Sequence, residues 1–311
     1  MKAAILILGF GGPEKPEEVG PFLRRVTEGT RPFDKLRAGI PESRLAEVAH
    51  HYEAIGGVSP YNAHVRKFKT LLEKSLGELG HAVPVLPGFR YSAPSFEELW
   101  KSVVGFDAKK VIAFVLSPFR SEASFERYRP ALEEKKEKSG VTAELVYTAP
   151  FHAHPLFVES WVDRIREKIS EIPAFTREKT FLVYSAHSIP LPMARQSRYA
   201  EEFKEHASLV SEKLGIKEWT TAYQSRSGSP ADPWLEPDVP AAIRSVDKTR
   251  FKNVLVVPSG FLCDNAEVLY DLDIEAEKLA EASGLSYFRA ATVLEDPDFV
   301  RMAVQLVARE L

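Results

Sequence analysis

Residues 253–289 read NVLVVPSGFLCDNAEVLYDLDIEAEKLAEASGLSYFR. An apolar, largely β-branched run over 253–258 ends in a proline. A helical pattern follows over 266–282, and Gly284 offers the left-handed cap that ends helices. A second short apolar run then fills 285–289. Strand, helix, strand in that order is the unit from which parallel sheets are built. Outward from it the same alternation covers the chain. Strand-like runs occupy 3–8, 82–86, 110–116, 143–147, 180–185 and 219–223. Helical stretches occupy 63–79, 96–104, 125–138, 155–169 and 198–214, several of them stopping at Gly80, Gly140 or Gly215. The strands are continuous apolar runs, as strands covered on both faces should be. The expected fold is α/β: two Rossmann-like doubly wound domains with four-stranded parallel sheets, residues 1–150 and 151–311, joined through 151–177 and separated by a cleft. In such sheets ligands bind outside the carboxyl ends of the strands.

Composition narrows the function. A chain of 311 residues suits two cores of about 150 residues better than one. A formal charge of −3 argues against a nucleic-acid partner, which asks for a basic face. The longest apolar runs are strand-length, so no membrane span is expected. The strand at 3–8 leaves no room for a signal peptide, and a cytoplasmic monomer is the expectation. Cys263 is the single cysteine, which excludes an intramolecular disulfide and a cysteine-ligated iron–sulfur cluster.

The unusual residues collect at strand ends. Gly9-Phe10-Gly11-Gly12-Pro13 follows the first strand, but Glu14 stands where a dinucleotide loop needs its third glycine, and Pro13 lacks an N–H for phosphate. A tight turn needs fewer glycines, so the loop suits either packing or a backbone laid against a flat ligand. Ser185-Ala186-His187-Ser188-Ile189-Pro190 ends the fifth strand. A neutral imidazole with a reference pKa of about 6.5 can accept a proton there. After the seventh strand, Asp264 or Asn265 can cap a helix on which Glu267, Asp271 and Glu275 share one face. Such a row is either a solvated acidic stripe or a path for a divalent cation into the cleft. The long proline-rich loop over 223–238 carries Trp234, as an anchor or a ligand contact.

Together these segments resemble the ferrochelatase family along essentially the whole chain. The matching stretches are 9–14, 52–60 (YEAIGGVSP), 88–91 (GFRY), 185–190 (SAHSIP), 224–238 and 256–275. The resemblance implies a porphyrin cleft between the two domains, with porphyrin and ferrous iron as substrates and no permanently bound cofactor. His187 matches the histidine thought to take pyrrole protons or meet the metal, Glu267 the glutamate facing it, and Asp271 and Glu275 the acidic line. Phe10 stands where many bacterial members place a tyrosine on the opposite porphyrin face. Ser59 and Tyr128 match positions near the propionates, and His51, Ser188 and Trp234 join them as expected porphyrin contacts. Members usually read Asp-His where this chain has Asp264-Asn265, and His51 replaces an arginine of some bacterial relatives. The cysteines that hold a [2Fe–2S] cluster in some members are missing.

The resemblance implies iron insertion into a porphyrin for heme biosynthesis, with a base, a shaped cleft and carboxylates that replace water around the cation. The competing readings are a porphyrin carrier without catalysis, a chelatase for another metal or ring, and a nucleotide-dependent α/β enzyme. Residues 24–51 are crowded with charges where members that use protoporphyrin carry an apolar lip. Coproporphyrin III, with four carboxylates, is therefore the expected substrate.

Overall fold

The computed structural model describes residues 2–30, 42–122, 124–227 and 232–311. Residues 31–41 of the charged stretch and 228–231 of the proline-rich loop lie outside the described residues. Among the described residues there are eight strands: β1 (Ala3–Gly9), β2 (Val85–Phe89), β3 (Lys110–Val115), β4 (Glu144–Tyr147), β5 (Thr180–His187), β6 (Trp219–Gln224), β7 (Asn253–Val257) and β8 (Ser286–Arg289). The helices that matter below are α1 (Val19–Thr30), α2 (Glu42–Ala54), α3 (Tyr61–Glu78), α4 (Phe96–Gly105), α5 (Phe125–Ser139), α6 (Pro155–Glu171), α7 (Leu191–Ala194), α8 (Tyr199–Leu214), α9 (Val239–Ser245), α10 (Glu277–Ala282) and α11 (Pro297–Ala308).

Both sheets are four-stranded and parallel, in the orders β2-β1-β3-β4 and β6-β5-β7-β8. The second is the first with every number raised by four, so β5 and β7 occupy the central places that β1 and β3 occupy. The strand expected at 82–86 lies instead at Val85–Phe89, with Pro87 inside it beside Ile7. Proline cannot donate to a ladder but is tolerated on an edge strand, and β2 is one.

One core joins the halves. Ile5, Ile7, Ile112 and Phe114 of the first sheet belong to the same buried cluster as Leu182, Tyr184, Leu255 and Val257 of the second. Between them lie α6, with Phe157 and Trp161, and α11, with Phe299. The Phe299 ring meets Phe68, Phe114, Phe151 and Phe157 at centroid distances of 5.5 to 6.3 Å. The last helix therefore returns from the second sheet to α3 and β3 of the first. Burying rings of this size is worth roughly 1.5–3 kcal/mol each on transfer bookkeeping, and the two sheets are held by shared packing.

The helix expected over 266–282 is not a single α-helix. Val268–Ala276 is π-helical and only then does α10 begin. Such wider turns are frequent at functional sites. Val268, Leu272 and Ala276 are buried against the core, so the adjoining row at the same four-residue spacing, Glu267, Asp271 and Glu275, is left on a more open side of the helix. Nothing in the sequence of the segment marks the wider turn.

Candidate active site

Two central strands of the second sheet set the geometry. β5 ends on His187, and the chain leaving β7 crosses directly over it. The Gly260 N–H donates to the Ser185 carbonyl at 3.0 Å, and a Cβ on Gly260 would lie 2.6 Å from Ala186 Cα. Only a residue without a side chain lets this crossing be so close. Five residues on, Asn265 caps the next helix: its Oδ1 accepts from the N–H groups of Glu267 at 2.9 Å and Val268 at 3.0 Å. The cap is Asn265 rather than Asp264. Asp264 is instead held by Arg289, which donates to it at 3.1 Å and to Asp273 Oδ2 at 2.7 Å, and by the Thr292 hydroxyl at 3.2 Å. Arg289 thus pins the acidic helix on both sides of Glu267 and Asp271.

The outcome is a facing pair, with His187 Nε2 at 3.5 Å from Glu267 Oε1. On the other side of the ring Nδ1 lies 2.5 Å from the Ser188 carbonyl. A carbonyl only accepts, so Nδ1 carries a proton and Nε2 is the atom turned to Glu267. Burial opposes charge on the imidazole, but the charge and hydrogen bond of Glu267, the Ser188 carbonyl and Asp271 outweigh it and raise the His187 pKa to about 9. The expectation of a neutral His187 is corrected here. The imidazolium form of His187 is therefore favoured at neutral pH, because an anion lies within reach of Nε2. Asp271 is moved the opposite way from an ordinary carboxyl. Burial, and then the neighbouring Glu267 and Glu275, raise it to about 7, although the Ser225 hydroxyl and His187 pull it down. Ser225 Oγ and Gln224 Nε2 donate to Asp271 Oδ2 at 2.5 and 3.3 Å. Glu275 is exposed beyond it.

The first half supplies a different surface. Phe10 is 39% exposed, and its ring meets Tyr91 at 4.6 Å and Phe22 at 6.0 Å. Phe22 in turn meets Tyr52 at 6.4 Å. Tyr52 is buried close enough to Glu267 for that charge to add to burial in raising its pKa. Ala266 packs in the same cluster. The aromatic patch therefore runs from Phe10 to the foot of the acidic helix. His51 does not reach out alone: it stacks on Tyr270 of that helix at 3.7 Å and 9°. The apolar faces of α1 and α2 are turned inward to Tyr91 and Ala266.

Several expected contacts sit deeper than the sequence implies. Added Cβ atoms on Gly9, Gly11 and Gly12 would strike Tyr61, Ser92 and Ser59 at 2.7, 2.2 and 2.6 Å. The loop's glycines therefore answer to packing by the protein itself. Two of its donors are also taken: Phe10 N–H by Tyr61 Oη and Gly12 N–H by Asn62 Oδ1, each at 3.1 Å. Ser59 is buried against Gly12, and its hydroxyl accepts from Tyr61 N–H at 3.3 Å. Tyr128 is buried edge-on to Phe96. Ser188 is buried with its hydroxyl on the Leu235 carbonyl at 3.0 Å, while Trp234 is buried and bridges to Pro190. These two tie the proline-rich loop to the end of β5. Gln224, Ser225, Tyr52, Gly260 and Arg289 were not singled out from sequence. A glycine just past a strand end beside a histidine-bearing strand is the signal that could have found Gly260.

Among the described residues no group of three or more histidine, cysteine, aspartate or glutamate side chains is arranged to hold a metal ion, and no helix is long and apolar enough to cross a membrane. His187 and Glu267 are two donors, and a cation there would need others from its partner in the reaction.

The fold, two four-stranded parallel sheets with helices, is shared with solved chelatase structures. The chain overlays SirB from Bacillus subtilis with Fe3+ at a TM-score of 0.59, with 14% identity, covering 99% of this chain and 95% of that one. It overlays CbiX, the terminal enzyme for biosynthesis of siroheme in denitrifying bacteria, at 0.55 with 14% identity and 99% of both chains. The sequence places it more narrowly. The family model described as Ferrochelatase matches residues 2–311, and the chain belongs to the ferrochelatase family. The coproporphyrin III ferrochelatase of Mycolicibacterium smegmatis is 36% identical over 308 residues, 98% of this chain and 88% of that one. A ferrochelatase of Rhodopirellula baltica is 34% identical over 310 residues, 99% of this chain and 86% of that one.

Proposed function

We propose that the protein inserts ferrous iron into coproporphyrin III, giving coproheme, as an enzyme of heme biosynthesis. The observation that carries this reading is the His187–Glu267 pair at 3.5 Å, one at the end of β5 and the other on the helix that follows β7, with Asp271 and Glu275 continuing along that helix. Insertion exchanges two pyrrole N–H protons for one Fe2+. The resting pair already holds one proton on His187. An arriving dication disfavours that proton, and its loss to solvent leaves Nε2 and the Glu267 carboxylate each able to take one of the two pyrrole protons as iron enters, before passing it on to water. Asp271, which titrates at about 7, can take and release a proton near physiological pH. Glu275 and Asp271 supply negative charge that concentrates the cation.

Phe10 gives an apolar plane for one face of the ring, and His51 on Tyr270 closes the side of the cleft. Ser59, Tyr128, Ser188 and Trp234 act from beneath the surface, shaping loops that the porphyrin meets. Iron and porphyrin are both substrates, and the reaction asks for no bound organic group or cluster. We place the enzyme in the cytoplasm as a monomer. The choice of coproporphyrin III is supported by the names of several similar relatives and by the charges of residues 24–51.

The test is anaerobic Fe2+ added to purified protein with coproporphyrin III or detergent-dispersed protoporphyrin IX, followed by absorption. A higher kcat/KM for coproporphyrin III is expected. A higher value for protoporphyrin IX overturns the substrate, and insertion into neither overturns the reaction.

A further inference from the structure

Away from His187, three guanidinium groups gather around one tyrosine. Tyr91 follows the end of β2, where Arg90 N–H and Tyr91 N–H donate to the carbonyls of Gly9 and Phe10 at 3.0 and 3.1 Å. Arg25 Nε donates to the Tyr91 carbonyl at 2.8 Å. The Arg90 guanidinium lies over the Tyr91 ring, 5.2 Å from its centre. Arg127, in the first turn of α5, hydrogen-bonds the Tyr91 side chain, and its pKa is lowered by burial and then by the charge of Arg90, against smaller opposing effects of Tyr91 and the Glu122 carboxylate. Positive charge is thus concentrated where part of the water has been removed.

The charge on Arg90 is not balanced. Among the described residues neither Arg25 nor Arg90 forms an ion pair. Arg90 Nη1 is shut off from water with no hydrogen-bond partner. A shielded guanidinium N–H without an acceptor is unfavourable, and adding a second cation nearby makes it more so. An anion with two oxygens is the group that satisfies it, because the planar fork of arginine matches a carboxylate. The location says whose carboxylate. The Tyr91 ring under Arg90 is packed on Phe10 at 4.6 Å, and Phe10 is the exposed aromatic of the cleft. A flat ligand on Phe10 would carry its rim toward Arg90.

We propose that Arg90, supported by Arg127, receives a carboxylate on the rim of the porphyrin. The assignment rests on the porphyrin reading above. It gives the first half a binding duty that Ser59 and Tyr128, both buried, do not perform directly. Tyr128 lies beside the same cluster, where Tyr91 raises and Arg90 lowers its pKa against a larger rise from burial.

The experiment is a fluorescence titration of the full-length protein with coproporphyrin III and, in detergent, with its tetramethyl ester. Wild type, Arg90→Gln, Arg90→Lys and Arg127→Gln are compared, with melting curves to confirm folding. Arg90→Gln should lose about tenfold in affinity for the free acid, the size of one charge-assisted contact, and nothing for the ester. Arg90→Lys should recover part of the loss, since it restores charge without the fork. Should Arg90→Gln unfold, Arg90→Lys and Arg127→Gln still carry the comparison, each losing affinity for the acid alone. An equal loss for acid and ester, or no loss, overturns the receptor while leaving the enzyme reading standing. Wild-type protein that binds neither form overturns the porphyrin reading, and the receptor with it.

Discussion

The two sheets have the same strand order and put different chemistry at the same places. Where β1 ends, the first half has glycines packed by Tyr61, Ser92 and Ser59, with Phe10 standing out. Where β5 ends, the second half has His187. Where β3 ends, the chain continues through Ser117 to Phe119 into a buried aromatic cluster. Where β7 ends, Gly260 lets it cross β5 and deliver Glu267. Topology decides where a ligand can sit, at the carboxyl ends of central strands. The side chains at these places differ: the first half has an exposed aromatic ring and guanidinium groups, the second a histidine and carboxylates.

The sharpest way to break that division is to disturb one close-packed glycine in each half. Gly260→Ala places a Cβ 2.6 Å from the Ala186 backbone and must move Glu267 away from His187. Turnover should fall about 100-fold, as a misplacement near 1 Å can do, with coproporphyrin affinity little changed. Gly12→Ala, whose Cβ meets Ser59 at 2.6 Å, should do the reverse and weaken porphyrin binding first. Steady-state kinetics beside fluorescence titration separate the two, and identical patterns for both variants would erase the division.

A smaller effect is expected from Arg289, whose guanidinium is taken up by Asp264 and Asp273. Its bonds to Asp264 and Asp273 keep two carboxylates out of the cleft and hold the π-helical segment. Arg289→Met should lower kcat about tenfold and raise the KM for iron more than that for porphyrin, with Arg289→Lys recovering part. A fall in melting temperature with unchanged kinetics would return Arg289 to a purely structural duty.

Smaller again are the changes along the acidic row. Asp271→Asn and Glu275→Gln should each raise the apparent KM for Fe2+ several-fold, the size of one charge pair near a surface, and leave that for porphyrin unchanged. Asp271→Asn should also melt higher at pH 8. Its carboxyl is raised to about 7, so the fold prefers it protonated and loses stability as pH rises from about 4. Equal effects on both KM values would make the row a solvated face.

The pH dependence of the resting protein is the mildest probe. The His187 pKa is raised to about 9, so the stability it lends is full below about 6.5 and is lost as pH rises through 9. Melting curves of wild type and His187→Gln should converge across that window. The KM for Fe2+ in wild type should fall over the same rise, because the metal competes with the proton on Nε2. A KM that rises instead would mean the imidazolium form binds the metal.

Much of the fold was legible because parallel strands are continuous apolar runs and their helices stop at glycines. Pro87 misled the reading of β2, since a proline looks like a stop and an edge position cannot be seen in sequence. The return of α11 to the first sheet is a long-range packing fact with no local mark. The π turn is equally silent, as a four-residue spacing keeps Glu267, Asp271 and Glu275 in a row in either helix. His187 and Glu267 were legible from strand ends and family likeness. Their charge state was not, because it depends on which groups face Nε2 once the chain is folded. The glycines after β1 suggested room for a ligand, whereas the room is filled by side chains about 50–80 residues away in sequence.

The central claim is that His187 and Glu267 act together on the pyrrole protons and the metal. Its most direct test is single-turnover iron insertion by His187→Ala against wild type, anaerobically and at saturating coproporphyrin III, with fluorescence confirming that porphyrin is bound. Loss of a base of this kind is expected to slow insertion by about 1000-fold with porphyrin affinity unchanged. Insertion at a rate close to that of wild type would contradict the account and remove His187 from the mechanism.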